Sequence, residues 1–171
     1  MPLLAITVLG HDRPGIIAET TAALAGLGLH LEDSTMTLLR GHFAMTLITD
    51  GSADAATVEE SLAGLTTDGS LSVSVRVVPP EPTPPARASY LLSVHGGDRP
   101  GIVSGVVAEV ARVGGNITDL STRLVGDLYV LTAEVELPDG VDSGALAHAL
   151  REAAEGLGVK ASLSPLTSDD L

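Results

Sequence analysis

The sequence predicts an α+β protein made of two copies of one βαββαβ module, and three observations support this. The stretch GHDRPGII at residues 10–17 recurs as GGDRPGIV at residues 96–103, an offset of 86 residues. The same offset, without a gap, relates Asp33 to Asp119 and Thr46 to Thr132. In each copy, apolar stretches that alternate as strands do are separated by stretches with helical spacing. A repeat at a fixed, domain-sized period indicates a duplicated module.

Periodicity and turn residues predict the elements of each copy in the same order. In the first copy we expect strands at residues 3–9, 29–39, 42–49 and 70–78, with helices at 14–27 and 53–65. In the second copy we expect strands at 89–94, 117–125, 128–137 and 159–163, with helices at 100–113 and 143–157. Glycine-containing turns at Gly41 and at Gly126 mark the hairpin of each copy.

The predicted domains are module 1 at residues 1–78, a proline-rich linker at 79–88, module 2 at 89–165 and an acidic tail at 166–171. Right-handed crossovers turn the βαββαβ order into a ferredoxin-like fold, a four-stranded antiparallel sheet with two helices on one face. The opposite face of the sheet is expected to carry Leu39, Leu47, Leu124 and Val130. Apolar residues there, and the small size of each module, predict pairing of modules or a homodimer.

Composition excludes several classes of function. The formal charge of −13, from 22 acidic and 9 basic residues, repels nucleic-acid phosphates and anionic lipids. Only three aromatic residues are present, so a stacking platform for bases is missing. The absence of cysteine rules out disulfides, thiolate metal sites and thiol catalysis. Without an apparent targeting or membrane-spanning segment, a cytoplasmic location is expected.

The repeated Asp-Arg-Pro-Gly motif falls where a strand passes into a helix, and two interpretations remain open. In the first, the motif only caps the helix, with Asp12 or Arg13 near the N-cap and Pro14 as the first helical residue. Capping does not explain Gly15, since glycine weakens an early helical turn by about 1 kcal/mol relative to alanine. In the second interpretation, the glycine lets a ligand approach the free N–H groups of residues 15–17, which form an anion site.

The motif and the run Gly-Asn-Ile-Thr-Asp at residues 115–119 together resemble the ACT domain family. The resemblance covers both modules and implies amino-acid binding at module interfaces and regulation of enzymes or regulators. Two ACT modules with no further domain are similar to a regulatory type that acts through a partner protein. The expected function is therefore non-catalytic sensing of a small amino acid, with transcriptional regulation of amino-acid metabolism as one setting. The alternative is a ligand-free structural module that mediates oligomerisation.

The resemblance also implies ligand positions at both turns and at the start of each module's second strand. They are Asp12, Arg13, Gly15, Ile16, Ile17 and His30 in module 1, and Asp98, Arg99, Gly101, Ile102, Val103 and Asn116 in module 2. If modules pair side by side, as the family implies, Asp12 shares a site with Asn116, and Asp98 shares the other with His30. Because histidine titrates near neutrality and asparagine does not, the two sites are expected to be unequal.

No metal, cofactor or catalytic residue is expected. The five histidines lack the i, i+4 spacing of a helical metal site. Ser34 and Ser104 lack the context of a nucleophile elbow, and the repeated turn does not match a phosphate-binding glycine pattern.

Overall fold

The computed structural model describes residues 2–167 and divides into two compact units between Thr83 and Pro84. Module 1 contains β1 at Leu3–His11, α1 at Ile16–Gly26, β2 at His30–Leu39, β3 at His42–Asp50, α2 at Ala55–Ser61, a short 3-10 helix at Ala63–Thr66 and β4 at Leu71–Val78. Module 2 contains β5 at Ala88–Gly97, α3 at Ile102–Arg112, β6 at Asn116–Val125, β7 at Leu128–Leu137, α4 at Ser143–Gly156 and β8 at Val159–Pro165.

Each module has one antiparallel sheet, ordered β2-β3-β1-β4 in module 1 and β6-β7-β5-β8 in module 2. This confirms the predicted fold class of two ferredoxin-like modules. Residues 79–87, the proline-rich stretch between β4 and β5, form neither helix nor strand. Of the predicted tail, Leu166 donates its N–H to the Ser89 carbonyl at 2.9 Å, and residues 168–171 lie outside the described part. None of the helices within residues 2–167 is long and apolar enough to cross a bilayer.

Each module packs its helices against one face of its sheet and has a core of its own. Alternate residues of the central strands point to the helices and are buried, as the alternation of Phe43, Met45 and Leu47 predicts. The module 1 core also contains Leu4, Ile6, Val8, Ile16 and Leu24. The module 2 core contains Leu92, Val94, Ile102, Val106, Val110, Leu131, Val135, Leu146 and Leu150.

The prediction of residues on the opposite sheet face was partly wrong. Leu47 is only 1% exposed and belongs to the module 1 core, so it faces the helices. Leu124 pairs with Tyr129, which packs against the module 2 core, so Leu124 also lies on the helix side. Leu39, opposite His42, and the half-buried Val130 do lie on the face away from the helices.

The outer strands β2 and β6 are exposed along most of their length. Both are sheet edges, since each pairs with one neighbour only, and both contain a register shift of one residue near the start. The shift lies between Leu31 and Asp33 in module 1 and between Ile117 and Asp119 in module 2. Each module therefore presents a long, exposed edge strand, a surface on which another strand can pair.

The second helix of each module is capped by an aspartate. Asp54 accepts a hydrogen bond from the Thr57 N–H at 2.8 Å. Hydrogen bonding from the Thr57 side chain, and then this backbone bond, lower the pKa of Asp54. Asp142 accepts from the N–H groups of Gly144 and Ala145 at 2.9 and 3.1 Å. In module 1 the predicted helix at 53–65 instead breaks after Ser61 and continues as the 3-10 helix, which contains Gly64.

We expect Asp142→Ala to lower the free energy of unfolding by about 1 kcal/mol, because two N–H groups of α4 lose their acceptor. The change is measured by urea denaturation. Asp139→Ala removes the same charge from an exposed turn three residues earlier and is expected to change stability little. Equal losses in the two variants would contradict a capping role for Asp142.

Candidate functional site

The helix after each Asp-Arg-Pro-Gly motif begins later than predicted. Helix α1 starts at Ile16 rather than at Pro14, and its N-cap is Gly15 with φ 93°. Gly101 caps α3 in the same way with φ 92°. A positive φ of this size is available to glycine at little cost and strains residues with a Cβ. The prediction that proline opens each helix was therefore wrong, and the backbone conformation explains the glycine.

The acidic residue of the motif does not cap the helix. Neither α1 nor α3 has a side-chain hydrogen bond at its N-cap. Asp12 and Asp98 are exposed and make no hydrogen bond or ion pair with the described residues. The capping interpretation of these aspartates was wrong, and both carboxylates are available to a ligand.

The turns leave backbone N–H groups without helical partners. The first helical bonds run from the Glu19 N–H to the Gly15 carbonyl and from the Gly105 N–H to the Gly101 carbonyl, both at 2.9 Å. The three preceding N–H groups of each helix, at residues 16–18 and 102–104, therefore have no carbonyl to bond within the helix. Together with the helix dipole they favour a negatively charged group.

At the turn of module 2 these groups line a cavity of about 440 Å³. Its walls are formed by Asp98, Arg99, Gly101, Ile102, Val103, Ser104, Val107 and Tyr129. This volume lies within the range of small-molecule sites. Five of the lining residues are those that the sequence predicted for module 2. Sequence reasoning missed Ser104, Val107 and Tyr129.

The three missed residues reach the cavity through secondary structure. Val107 follows Val103 by four positions on α3 and so lies on the same side of the helix. Tyr129 lies opposite Gly96 in the β5–β7 register, beside the turn. The helical spacing of Val107 was a usable signal, whereas placing Tyr129 required the strand register.

The turn of module 1 contains an ion pair. The Arg13 guanidinium donates to both carboxylate oxygens of Glu19, with Nη1–Oε1 at 3.1 Å and Nη2–Oε2 at 2.9 Å. This side-chain hydrogen bonding raises the pKa of Arg13 and lowers the pKa of Glu19. Both side chains therefore keep their charges at neutral pH.

The predicted ligand residues of the second strands lie far from the turn of their own module. Asn116 pairs with Glu136 near one end of β7, whereas Tyr129 pairs with Gly96 near the other. The seven residue-to-residue steps from Tyr129 to Glu136 span about 23 Å of strand. His30 lies similarly far from the module 1 turn, opposite Asp50 at the end of β3. A site that combines one of the turns with Asn116 or His30 therefore requires two modules or two chains. The pairings of Asp12 with Asn116 and of Asp98 with His30 remain predictions.

Within residues 2–167, no group of three histidine, aspartate or glutamate side chains is arranged to hold a metal ion. The polar groups of the module 2 turn combine donors with an acceptor, a set suited to an organic ligand that carries both charges. N–H groups and Arg99 suit a carboxylate, and Asp98 suits an ammonium group.

The two modules and their matching turns define a tandem regulatory domain protein, and comparison with known sequences identifies the family. The ACT domain matches residues 2–76 and again residues 89–164. The chain belongs to the ACT domain family. It is 32% identical over 123 residues to the glycine cleavage system transcriptional repressor of Escherichia coli K12. That match covers 70% of this chain and 64% of the repressor, just under two thirds of its length.

Solved structures have the same two-module architecture. A crystal structure of an unknown protein from Galdieria sulphuraria is 27% identical, with a TM-score of 0.79 over 97% of this chain and 99% of that one. A second crystal structure, provisionally assigned as a glycine cleavage system transcriptional repressor, has a TM-score of 0.71 and 20% identity, over 98% of each chain. At that identity, the second likeness shows the fold alone.

We expect Gly101→Ala to destabilise module 2 by about 1–2 kcal/mol, because alanine is strained at positive φ. A Cβ at Gly101 meets no atom of the described residues within 4 Å, so crowding adds nothing to this cost. Gly156→Ala is the matched control, since its Cβ also meets nothing and its φ is not positive. Thermal denaturation should show a lower Tm for the first variant and an unchanged or higher Tm for the second. Equal Tm values would contradict the backbone explanation.

Proposed function

We propose that this chain is a non-catalytic regulatory protein that binds a small amino acid at a strand–helix turn and transmits the bound state to a partner protein. The observation that carries the proposal is the module 2 cavity, where free helix N–H groups, Arg99 and Asp98 meet. This set provides donors for a carboxylate and an acceptor for an ammonium group. The similarity to a transcriptional repressor supports a role in regulation.

A partner protein is proposed because the chain is poorly suited to touch nucleic acid itself. Its formal charge of −13 repels the DNA phosphates. Binding to DNA is driven by basic residues that release the counterions of those phosphates, and acidic residues outnumber basic ones here. A protein similar to a transcriptional repressor but strongly acidic can act by binding a regulator.

The expected outcome of a thermal-shift screen against the twenty amino acids is a rise in Tm with one of them or a small group. A ligand at about 100 times its Kd stabilises the folded state by about 2.7 kcal/mol. In Asp98→Ala the active amino acid is expected to bind at least about tenfold more weakly, since its ammonium group loses a charged partner. Calorimetry gives the two Kd values.

Asp127→Ala serves as the control for that variant, because it removes the same charge from the exposed β6–β7 hairpin of the same module. It should bind like the unaltered protein. The proposed function is wrong if none of the twenty amino acids changes Tm. The assignment of Asp98 is wrong if both variants bind equally.

A second candidate function, an interaction module that assembles through its sheet edges, is favoured by the exposed strands β2 and β6. These edges end in apolar side chains, with Leu39 46% and Val125 70% exposed. Such residues on a sheet edge are suited to pairing with a second copy of the chain. The two functions are compatible, and the amino-acid screen separates them.

We expect sedimentation equilibrium at micromolar concentration to give an assembly larger than the 17.3 kDa monomer. Leu39→Lys combined with Val125→Lys places a charge on each edge and is expected to shift the equilibrium toward monomer. Glu60→Lys combined with Asp139→Lys is the control, with new lysines at exposed positions away from these apolar ends. A monomer in the unaltered protein contradicts the proposed dimer.

A further inference from the structure

Just after the turn, module 1 has a charged side chain at a position where module 2 has glycine. The offset of 86 residues places Glu19 of α1 opposite Gly105 of α3. In module 1 both oxygens of the Glu19 carboxylate bond to the Arg13 guanidinium, at 3.1 and 2.9 Å. Arg99, the counterpart of Arg13, has no such carboxylate on its own helix.

The Glu19 carboxylate also lies over the start of its helix. A Cβ built on Gly15 would lie 3.8 Å from Glu19 Oε1. Built on Gly101, it would meet no atom of residues 2–167 within 4 Å. The space that a carboxylate fills in module 1 is therefore open in module 2, where Gly101 and Arg99 line the cavity.

In module 2 the position that corresponds to Glu19 lies against the side chain of Leu157. A Cβ built on Gly105 would lie 2.8 Å from Leu157 Cδ1, closer than real Cβ atoms approach. Gly105 of α3 thus lies close to Leu157, the residue that follows α4. Any larger residue at position 105 would require the Leu157 side chain to move. A glutamate at position 105 would have to displace Leu157.

Arg99 is exposed. It makes no hydrogen bond or ion pair with the described residues. Its Nη1 is 3.7 Å from the Cβ position of Gly158, in the turn before β8. The next residue, Val159, lines a smaller cavity of about 260 Å³ together with Arg151, Glu155 and Lys160, whose charges have both signs. An exposed guanidinium that has no carboxylate partner among the described residues favours an anion from outside the chain.

We infer that the Glu19 carboxylate occupies, beside Arg13 of module 1, the position that the carboxylate of an amino-acid ligand takes beside Arg99 of module 2. The chain then binds one α-amino acid per copy, at the module 2 turn, and its own side chain closes the module 1 turn. Two parallel bonds between guanidinium and carboxylate are the geometry that such a ligand would reproduce. This inference rests on the proposed function and specifies which turn performs it.

The experiment is a titration of the ¹⁵N-labelled full chain with glycine at millimolar concentration, followed by NMR. Glycine carries only the carboxylate and ammonium groups that all α-amino acids share. In the unaltered protein we expect shifts at the amides of residues 102–104 and none at residues 16–18. In Glu19→Ala, residues 16–18 are expected to shift as well. In Arg99→Gln, binding at residues 102–104 should weaken at least about tenfold.

The controls change the same charges elsewhere. Glu60→Ala removes an exposed glutamate from α2 of module 1, and Arg112→Gln removes an exposed arginine from α3 of module 2. Both should respond to glycine like the unaltered protein. Equal shifts at both turns of the unaltered protein overturn the inference, as does a Glu19→Ala response confined to residues 102–104. No shift at either turn, together with no active amino acid in the thermal screen, overturns the proposed function itself.

Discussion

The left-handed glycine before each first helix is the constraint on which both modules depend. With φ near 92°, Gly15 and Gly101 end the turn so that the next residue enters the helix pointing into the core. Ile16 and Ile102 are accordingly 1% and 2% exposed. The same turn leaves the three N–H groups of the first helical turn without carbonyl partners. A single backbone conformation thus anchors the helix to the sheet and creates the polar end at which a ligand can bind.

The fold could be predicted because strand alternation and the 86-residue repeat supported the same element order twice. The starts of α1 and α3 could not be predicted correctly. Aspartate and proline just before an apolar stretch are typical of an N-cap and a first helical residue, and here they are neither. Nothing in the order of residues distinguishes a glycine that follows the helix start from one that precedes it. The sheet face on which Leu124 lies could not be predicted either. The register shift before Asp119 reverses which residues of β6 face the helices.

The site was predictable to the extent that the backbone of one motif forms it. The predicted residues that line the cavity come from one short stretch of the turn, and the motif itself identified them: Asp98, Arg99, Gly101, Ile102 and Val103. Tyr129 comes from another strand, and only the β5–β7 register places it beside Gly96. The Arg13–Glu19 pair spans six residues across a change from turn to helix. Its geometry depends on where α1 begins, and the motif predicted that start at Pro14 rather than at Ile16.

Duplication has left two modules with the same backbone and different polar chemistry. Module 1 buries Thr20, whose hydroxyl donates to the Ile16 carbonyl, and Thr49, whose hydroxyl donates to the Leu4 carbonyl. Valines occupy the corresponding positions 106 and 135 of module 2. In module 1 the two threonine hydroxyls and Arg13 thus have partners within the module, whereas the arginine of the module 2 turn has no partner among the described residues. Since the strand order and the glycine-capped first helix are the same in both modules, side chains such as these give the two turns different binding chemistry.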